Sequence, residues 1–262
     1  MEEIKEKNWD LNRAIDFIHD HKKTKDIRSV EAFFVEKLKK TQSEEQKAEY
    51  YYHLLRCKLM KHSVFEIKEC KDLYYKLLTS LKKIEKLSLE EYRKNKNSVY
   101  EDQLSAFYVT VAHYLGSLKR IYRQKSFSDS VRRTFIDEMH FTKAQFLFKR
   151  EHGKFFVYTL YDITSKYGSS MGRWLLTSLF VMMVFGCLYL IADTSLDSTA
   201  MYYGTKSKHF FDYFYFSAVT FTTVGYGDIS PVHLVTQILA VTEVMVGYMM
   251  LGVLVNLLGR KL

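Results

Sequence analysis

The stretch Thr223-Val224-Gly225-Tyr226-Gly227-Asp228 lies between two long apolar runs near the end of a 262-residue chain. Its two glycines fall at alternate positions. Successive carbonyls of an ordinary strand point to opposite sides. Bringing them to one side requires left-handed or mirror backbone regions, which glycine adopts without a Cβ clash. Gly225 and Gly227 therefore predict an extended segment whose carbonyl oxygens share one axis. The plain alternatives are a G-x-G turn in a soluble domain and a phosphate-binding loop. A dinucleotide fingerprint, however, follows a strand and opens a helix with a third glycine. Here Ile229, Ser230 and Pro231 come next, and then another apolar run.

Outward from this stretch the chain reads as membrane-embedded. Residues 174–192 are 19 positions without a charge, enough at about 1.5 Å per residue to cross a hydrocarbon core of about 30 Å. A polar turret, residues 193–208, follows. The aromatic run 209–221 is too short to cross the bilayer and still leave room for the glycine segment, so it predicts a re-entrant helix, tolerated at membrane depth only inside protein. The C-terminal end of that helix, near Phe221 and Thr222, would aim the negative end of its dipole at the space below. Residues 232–258 form the second spanning run. Lys154, Lys166 and Arg173 precede the first span, and Arg260 and Lys261 follow the second. This bias predicts a multi-pass protein of the cell membrane with both termini cytoplasmic, although Lys206 and Lys208 in the turret reduce it.

The six residues resemble the selectivity filter of potassium channels. Residues 174–258 resemble the outer helix (174–192), pore helix (209–221), filter (223–228) and inner helix (232–258) of prokaryotic two-transmembrane potassium channels. That resemblance implies an all-α, homotetrameric pore in which four filter strands replace the water around K⁺ with peptide oxygens. It places the ion at Thr223, Val224, Gly225 and Tyr226, with Gly227 completing the filter. The Thr223 hydroxyl would add an oxygen at the inner end, Val224 and Tyr226 would turn their side chains outward against surrounding protein, and Asp228 would sit at the outer mouth. No cofactor is implied beyond K⁺ as the permeant ligand. Gly247, nineteen residues past Asp228, matches the glycine hinge of calcium-gated members, which would open a cytoplasmic gate near Asn256. Close helix packing is the other reading of such a glycine. At 100° per residue Gly252 and Asn256 share a face, with Tyr248 and Val255 close to it, and Glu243 falls opposite. A buried carboxylate needs partners. Glu243 is therefore expected to bond a hydroxyl or backbone group behind the filter, at Thr220, Thr222 or Tyr215, rather than to line the pore.

The N-terminal part differs in kind. A mean hydropathy of −0.19 averages two unlike halves, and up to about Tyr167 the chain is dense in Lys, Glu, Tyr and Leu. Pro231 is the single proline, and Gly116 is the one glycine before position 153. With so few breakers the region should be helical throughout. Apolar spacing predicts helices on Leu11, Ile15 and Ile18, following Trp9, and from a Ser29 cap through Val30, Phe33, Phe34 and Leu38. A further helix follows a capping-box-like Ser43, Glu44, Glu45, Gln46, carrying Ala48, Tyr51, Tyr52, Leu55 and Leu59. Another starts at Ser63 and carries Leu73, Leu77, Leu81 and Ile84. The next runs from Tyr100 to about Tyr122. Residues 128–149 read as one more helix pair, with Phe141, Ala144, Gln145 and Phe148 spaced as in a tetratricopeptide unit. Stacked antiparallel pairs, as an irregular bundle or a short solenoid, follow. We therefore expect a cytoplasmic helical domain over residues 1–165, regulatory or serving assembly, and a pore domain over residues 166–262.

Composition narrows the function. A net charge of +9 and a pI near 9.2 invite a nucleic-acid reading, but acidic residues interleave with the lysines, so solvated helix faces explain them and no nucleic-acid partner is expected. Cys57, Cys70 and Cys187 form no C-x-x-C pair, and His19, His21, His53 and His62 lack metal-ligand spacing. No signal peptide is expected behind Met1-Glu2-Glu3. Nucleophile-and-base constellations and phosphate loops are lacking, so no enzyme is expected. No span carries arginine at every third position, so no voltage sensor is expected either. Sensing should then reside in residues 1–165, where a protein or small ligand of unknown kind would bind, or in the filter. A non-selective cation channel is disfavoured by the intact Tyr226, Gly227 and Asp228. A membrane-anchored scaffold with a vestigial pore is the remaining rival.

Overall fold

A computed structural model describes residues 10–19, 27–61, 68–196, 200–203 and 209–259. The described residues form ten α-helices and one two-stranded ladder, so the fold is all-α. Contacts divide the chain into two compact units, residues 1–152 and 153–262. That division falls thirteen positions before the expected 165/166 boundary, because the helix after Arg150 groups with the second unit rather than the first.

The first unit holds α1 (Leu11–His19), α2 (Ile27–Lys40), α3 (Glu44–Lys61), α4 (Lys68–Asn95), α5 (Ser98–Gln124) and α6 (Ser128–Phe148). Each helix from α2 to α5 packs on the next in sequence, while α1 and α5 also reach α3. The buried face of α4 carries Leu73, Leu77, Leu81 and Ile84 at the spacing of one helical stripe, and that of α5 carries Leu104, Val111, Leu115 and Leu118. Tyrosines complete this core. Tyr52 stacks on Tyr114 with ring centroids 4.1 Å apart, and the Tyr74 hydroxyl donates to Asp137 at 2.6 Å.

Three local expectations change. Ser29 lies inside α2 rather than capping it, because the helix begins two residues earlier at Ile27. Gln46 accepts from the Thr41 hydroxyl at 2.5 Å rather than reaching back to Ser43. Residues 128–149 make one 21-residue helix instead of a pair, since nothing between Ser128 and Phe148 breaks it. The expected starts at Trp9 and Ser63 lie outside the described residues.

The second unit holds α7 (His152–Ser165), α8 (Met171–Ser195), β1 (Met201–Tyr202), α9 (Phe210–Phe221), β2 (Ser230–Pro231) and α10 (Leu234–Gly259). Both α8 and α10 are long and apolar enough to cross a membrane, and α9 packs against both. Between α7 and α8 the chain turns through three consecutive left-handed residues, Lys166, Tyr167 and Gly168. The Ser170 hydroxyl accepts the Arg173 amide as the N-cap of α8. The outer helix exceeds its predicted span at both ends, so Asp193 belongs to its last turn and not to a solvated turret.

The Tyr108 hydroxyl donates to Glu85 at 3.0 Å. Burial nonetheless holds the Glu85 carboxyl above the usual carboxylate range, with the Tyr108 bond opposing that shift. A carboxyl raised in the folded state favours folding most when protonated, and that contribution is lost as pH rises through its folded value. Glu85→Gln keeps the acceptor for Tyr108 and removes the titration. Thermal unfolding of the full chain in detergent should show the variant more stable than the parent at pH 7, with the gap closing below about pH 4.

Candidate functional site

The site is built on α9. His209 precedes the helix, and its amide donates to Asp212 Oδ2 at 2.8 Å, closing the first turn. The helix ends at Phe221. The Thr223 amide then bonds Thr220 O, and the Val224 amide bonds Val219 O, both at 3.0 Å. These bonds fold the chain back beside the helix it has just left.

From there the backbone alternates. Thr223 (φ 60°), Gly225 (φ 59°) and Gly227 (φ 77°) are left-handed, and the intervening Val224 and Tyr226 are not. The alternation is that required to bring successive carbonyls to one side. The glycines were legible from the sequence, whereas left-handed Thr223 was not, because a residue with a Cβ carries a cost of roughly 1–2 kcal/mol there. Around Gly225 and Gly227 an added Cβ would meet nothing within 4 Å. Val224 and Tyr226 are 52% and 70% exposed. The protein expected to pack against their side chains is thus not supplied by the same chain.

The outer end is pinned twice. Tyr215 donates to Asp228 Oδ2 at 3.1 Å, tying the last residue of the stretch to the middle of α9. Asp193, fully buried, accepts the amides of Ala200 and Met201 and the hydroxyl of Tyr213, the last at 2.7 Å. One carboxylate thus gathers the ends of α8, β1 and α9. β1 then pairs antiparallel with β2 just past the glycine segment.

Behind the stretch, Glu243 is 0% exposed. Its Oε2 receives the Tyr189 hydroxyl at 2.8 Å, and its Oε1 is bonded to Ser217 Oγ. The partners expected for it, Thr220, Thr222 and Tyr215, are engaged elsewhere or lie off this contact: Thr222 bonds Ala218 O, and Tyr215 bonds Asp228. Glu243 is a buried carboxyl bonded to hydroxyls, and these are the hydroxyls of Tyr189 and Ser217. Pairing across helices depends on the crossing of α8, α9 and α10, and no spacing within one helix encodes it. Tyr189, Ser217 and Asp193 went unnoticed for the same reason.

Two glycines permit the close crossings. A Cβ on Gly247 would overlap the carbonyl oxygen of Phe221 and lie 3.2 Å from its carbonyl carbon, and a Cβ on Gly186 would lie 3.2 Å from Phe214 Cα. α10 thus touches the backbone at the end of α9 through Gly247. Gly252 has open space around it. With Asn256, Tyr248 and Val255 it lies on the exposed side of α10, while Thr236, Glu243, Gly247, Met250 and Leu257 form the buried one. Lower down, Trp174 Nε1 of α8 donates to Met250 O of α10 at 2.9 Å. No group of three or more metal-ligating His, Cys, Asp or Glu side chains occurs among the described residues.

Comparison with known proteins places part of this unit in a family. Residues 178–262 match the family described as Ion channel. The matched segment begins within α8 and takes in α9, the alternating stretch and α10. Over 53 residues the chain is 51% identical to two-pore potassium channel 4 of Arabidopsis thaliana, a match spanning 20% of this chain and 19% of that protein. The chain therefore covers about a fifth of that relative's length. No solved structure matches the chain.

Gly247 and Gly252 of α10 separate packing from bending. Gly247→Ala must push α10 away from Phe221 and should destabilise the unit by about 1–3 kcal/mol, as overpacking does. Gly252→Ala has room and should stay within about 0.5 kcal/mol. Unfolding of both variants in detergent checks this. Equal stability of Gly247→Ala and the parent would leave bending as that glycine's purpose.

Proposed function

We propose that the chain assembles as a homotetrameric potassium-selective channel that conducts passively. The observation that carries this reading is the alternation of left-handed residues at Thr223, Gly225 and Gly227, in a segment whose Val224 and Tyr226 side chains lack packing within their own chain. A row of carbonyls on one strand cannot enclose an ion, whereas four such strands around an axis can replace its hydration shell. K⁺ would sit among the oxygens of Thr223, Val224, Gly225 and Tyr226, with Gly227 and Asp228 toward the outer mouth. The similarity of residues 178–262 to ion channels, and of a shorter segment to a plant potassium channel, supports the same reading.

In this proposal α8 and α10 cross the membrane of the cell, α9 enters and returns, and both termini lie in the cytoplasm. The exposed side of α10, with Gly252 and Asn256, faces the pore below the filter and carries the gate. Gly247 is the point about which that helix would bend, over and above its packing on Phe221. Residues 1–165 gate or assemble the pore, and a protein or small ligand bound there would supply the stimulus.

Liposome flux tests the reading. The full chain should give a reversal potential that follows the K⁺ gradient when K⁺ and Na⁺ are opposed. A reversal near zero would mean a non-selective cation channel. Gly225→Ala forces a side chain into φ 59° in every subunit, at roughly 1–2 kcal/mol each, so flux should fall at least about tenfold, a loss of only about 1.4 kcal/mol. Equal flux in variant and parent would leave the filter unneeded and favour the scaffold reading.

A further inference from the structure

The three groups that meet between α8, α9 and α10 need one more proton than their hydroxyls supply. Ser217 Oγ lies 2.8 Å from Met182 O on α8 and is also bonded to Glu243 Oε1 on α10. Tyr189 Oη lies 2.8 Å from Glu243 Oε2. That makes three contacts. A backbone carbonyl only accepts, so the contact with Met182 uses the single proton of Ser217. Tyr189 provides its own for Oε2. The remaining contact, Ser217 with Oε1, would set two oxygens against each other without a hydrogen if Glu243 were a carboxylate. A carboxylic acid completes the set: Oε1–H donates to Ser217, Ser217 donates to Met182 O, and Tyr189 donates to Oε2.

The surroundings agree. Tyr189 is the titratable group of α8 that faces Glu243. From α9 it meets Ser217, which does not titrate. α10 brings no other ionisable residue to that side. By sequence, Arg173 is the only lysine or arginine in these three helices, and it lies in the first turn of α8. Among the described residues no ion pair involves Glu243. A buried carboxylate facing only hydroxyls is costly, whereas a neutral acid with every hydrogen bond made is not.

We propose that Glu243 is a neutral acid in the folded protein and that its proton, donated to Ser217, is the link holding the pore helix to both spanning helices at once. Glu243 touches no permeating ion in this assignment; it is a positioning residue for the filter. This role in conduction rests on the channel reading above, while the protonation state does not.

The test uses the full chain in lipid. An infrared difference spectrum of parent minus Glu243→Gln at neutral pH should contain the carbonyl stretch of a protonated carboxylic acid. The band should shift to higher frequency in Ser217→Ala, where the acid loses its acceptor, and persist in Tyr189→Phe. Glutamine at 243 can donate to Ser217 and accept from Tyr189, so its K⁺ flux should stay within about twofold of the parent, while Glu243→Ala should lose at least about tenfold. Absence of the band, or a band unmoved by Ser217→Ala, overturns the proposal. So does a Gln variant that fails like the Ala variant while the parent conducts. If the parent itself fails to conduct, the channel reading falls and the spectrum still decides the proton.

Discussion

A backbone that turns its carbonyls to one side can no longer bond to itself, and the second unit is arranged around that constraint. The alternating segment from Thr223 to Gly227 forms neither helix nor ladder. It is held instead at its ends and from behind. At its start, two turn bonds to the last turns of α9 set its direction. At its far end Tyr215 holds Asp228, and the ladder of β1 with β2 closes the loop. α9, which carries both attachments, is itself fixed by direct backbone approach: α8 at Gly186 and α10 at Gly247. Small residues at crossings are how helices approach closely where no water drives them together.

Polar groups then add direction to this packing. Asp193 collects the outer ends of three elements, and Glu243 joins three helices deeper in. Both carboxyls are fully buried, and hydroxyls and amides bond to them. Dispersion alone would let α9 slide or rotate between its neighbours, whereas directional bonds choose one register. Placement of the alternating segment is therefore inherited from side chains that lie well away from it in sequence, and Tyr189 is separated from Glu243 by 54 positions.

This division explains what could be read in advance. Features that depend on residue type at one place were legible: Gly225 and Gly227 as left-handed positions, the two long apolar helices, and the short aromatic helix between them. The buried state of Glu243 was legible too, since its position on α10 puts it opposite Gly252. Its partners were not, because hydroxyls on α8 and α9 become neighbours only when three helices cross. Gly247 invited a hinge reading by its spacing from Asp228, and the contact with Phe221 gives it a second reason to be glycine. In the first unit the heptad-like stripes of α4 and α5 could be read directly, but a helix pair was placed in residues 128–149, where the chain, lacking any breaker, runs on as α6.

The central claim is that identical strands from four subunits meet around one axis and coordinate K⁺ there. A map of the full chain in lipid, recorded once in K⁺ and once with K⁺ replaced by an organic cation, addresses it most directly. The account predicts four copies with residues 223–227 lining the axis and ordered density between their carbonyls in K⁺ alone. Subunits whose glycine segments fail to meet, or an axis equally empty in both conditions, would contradict it.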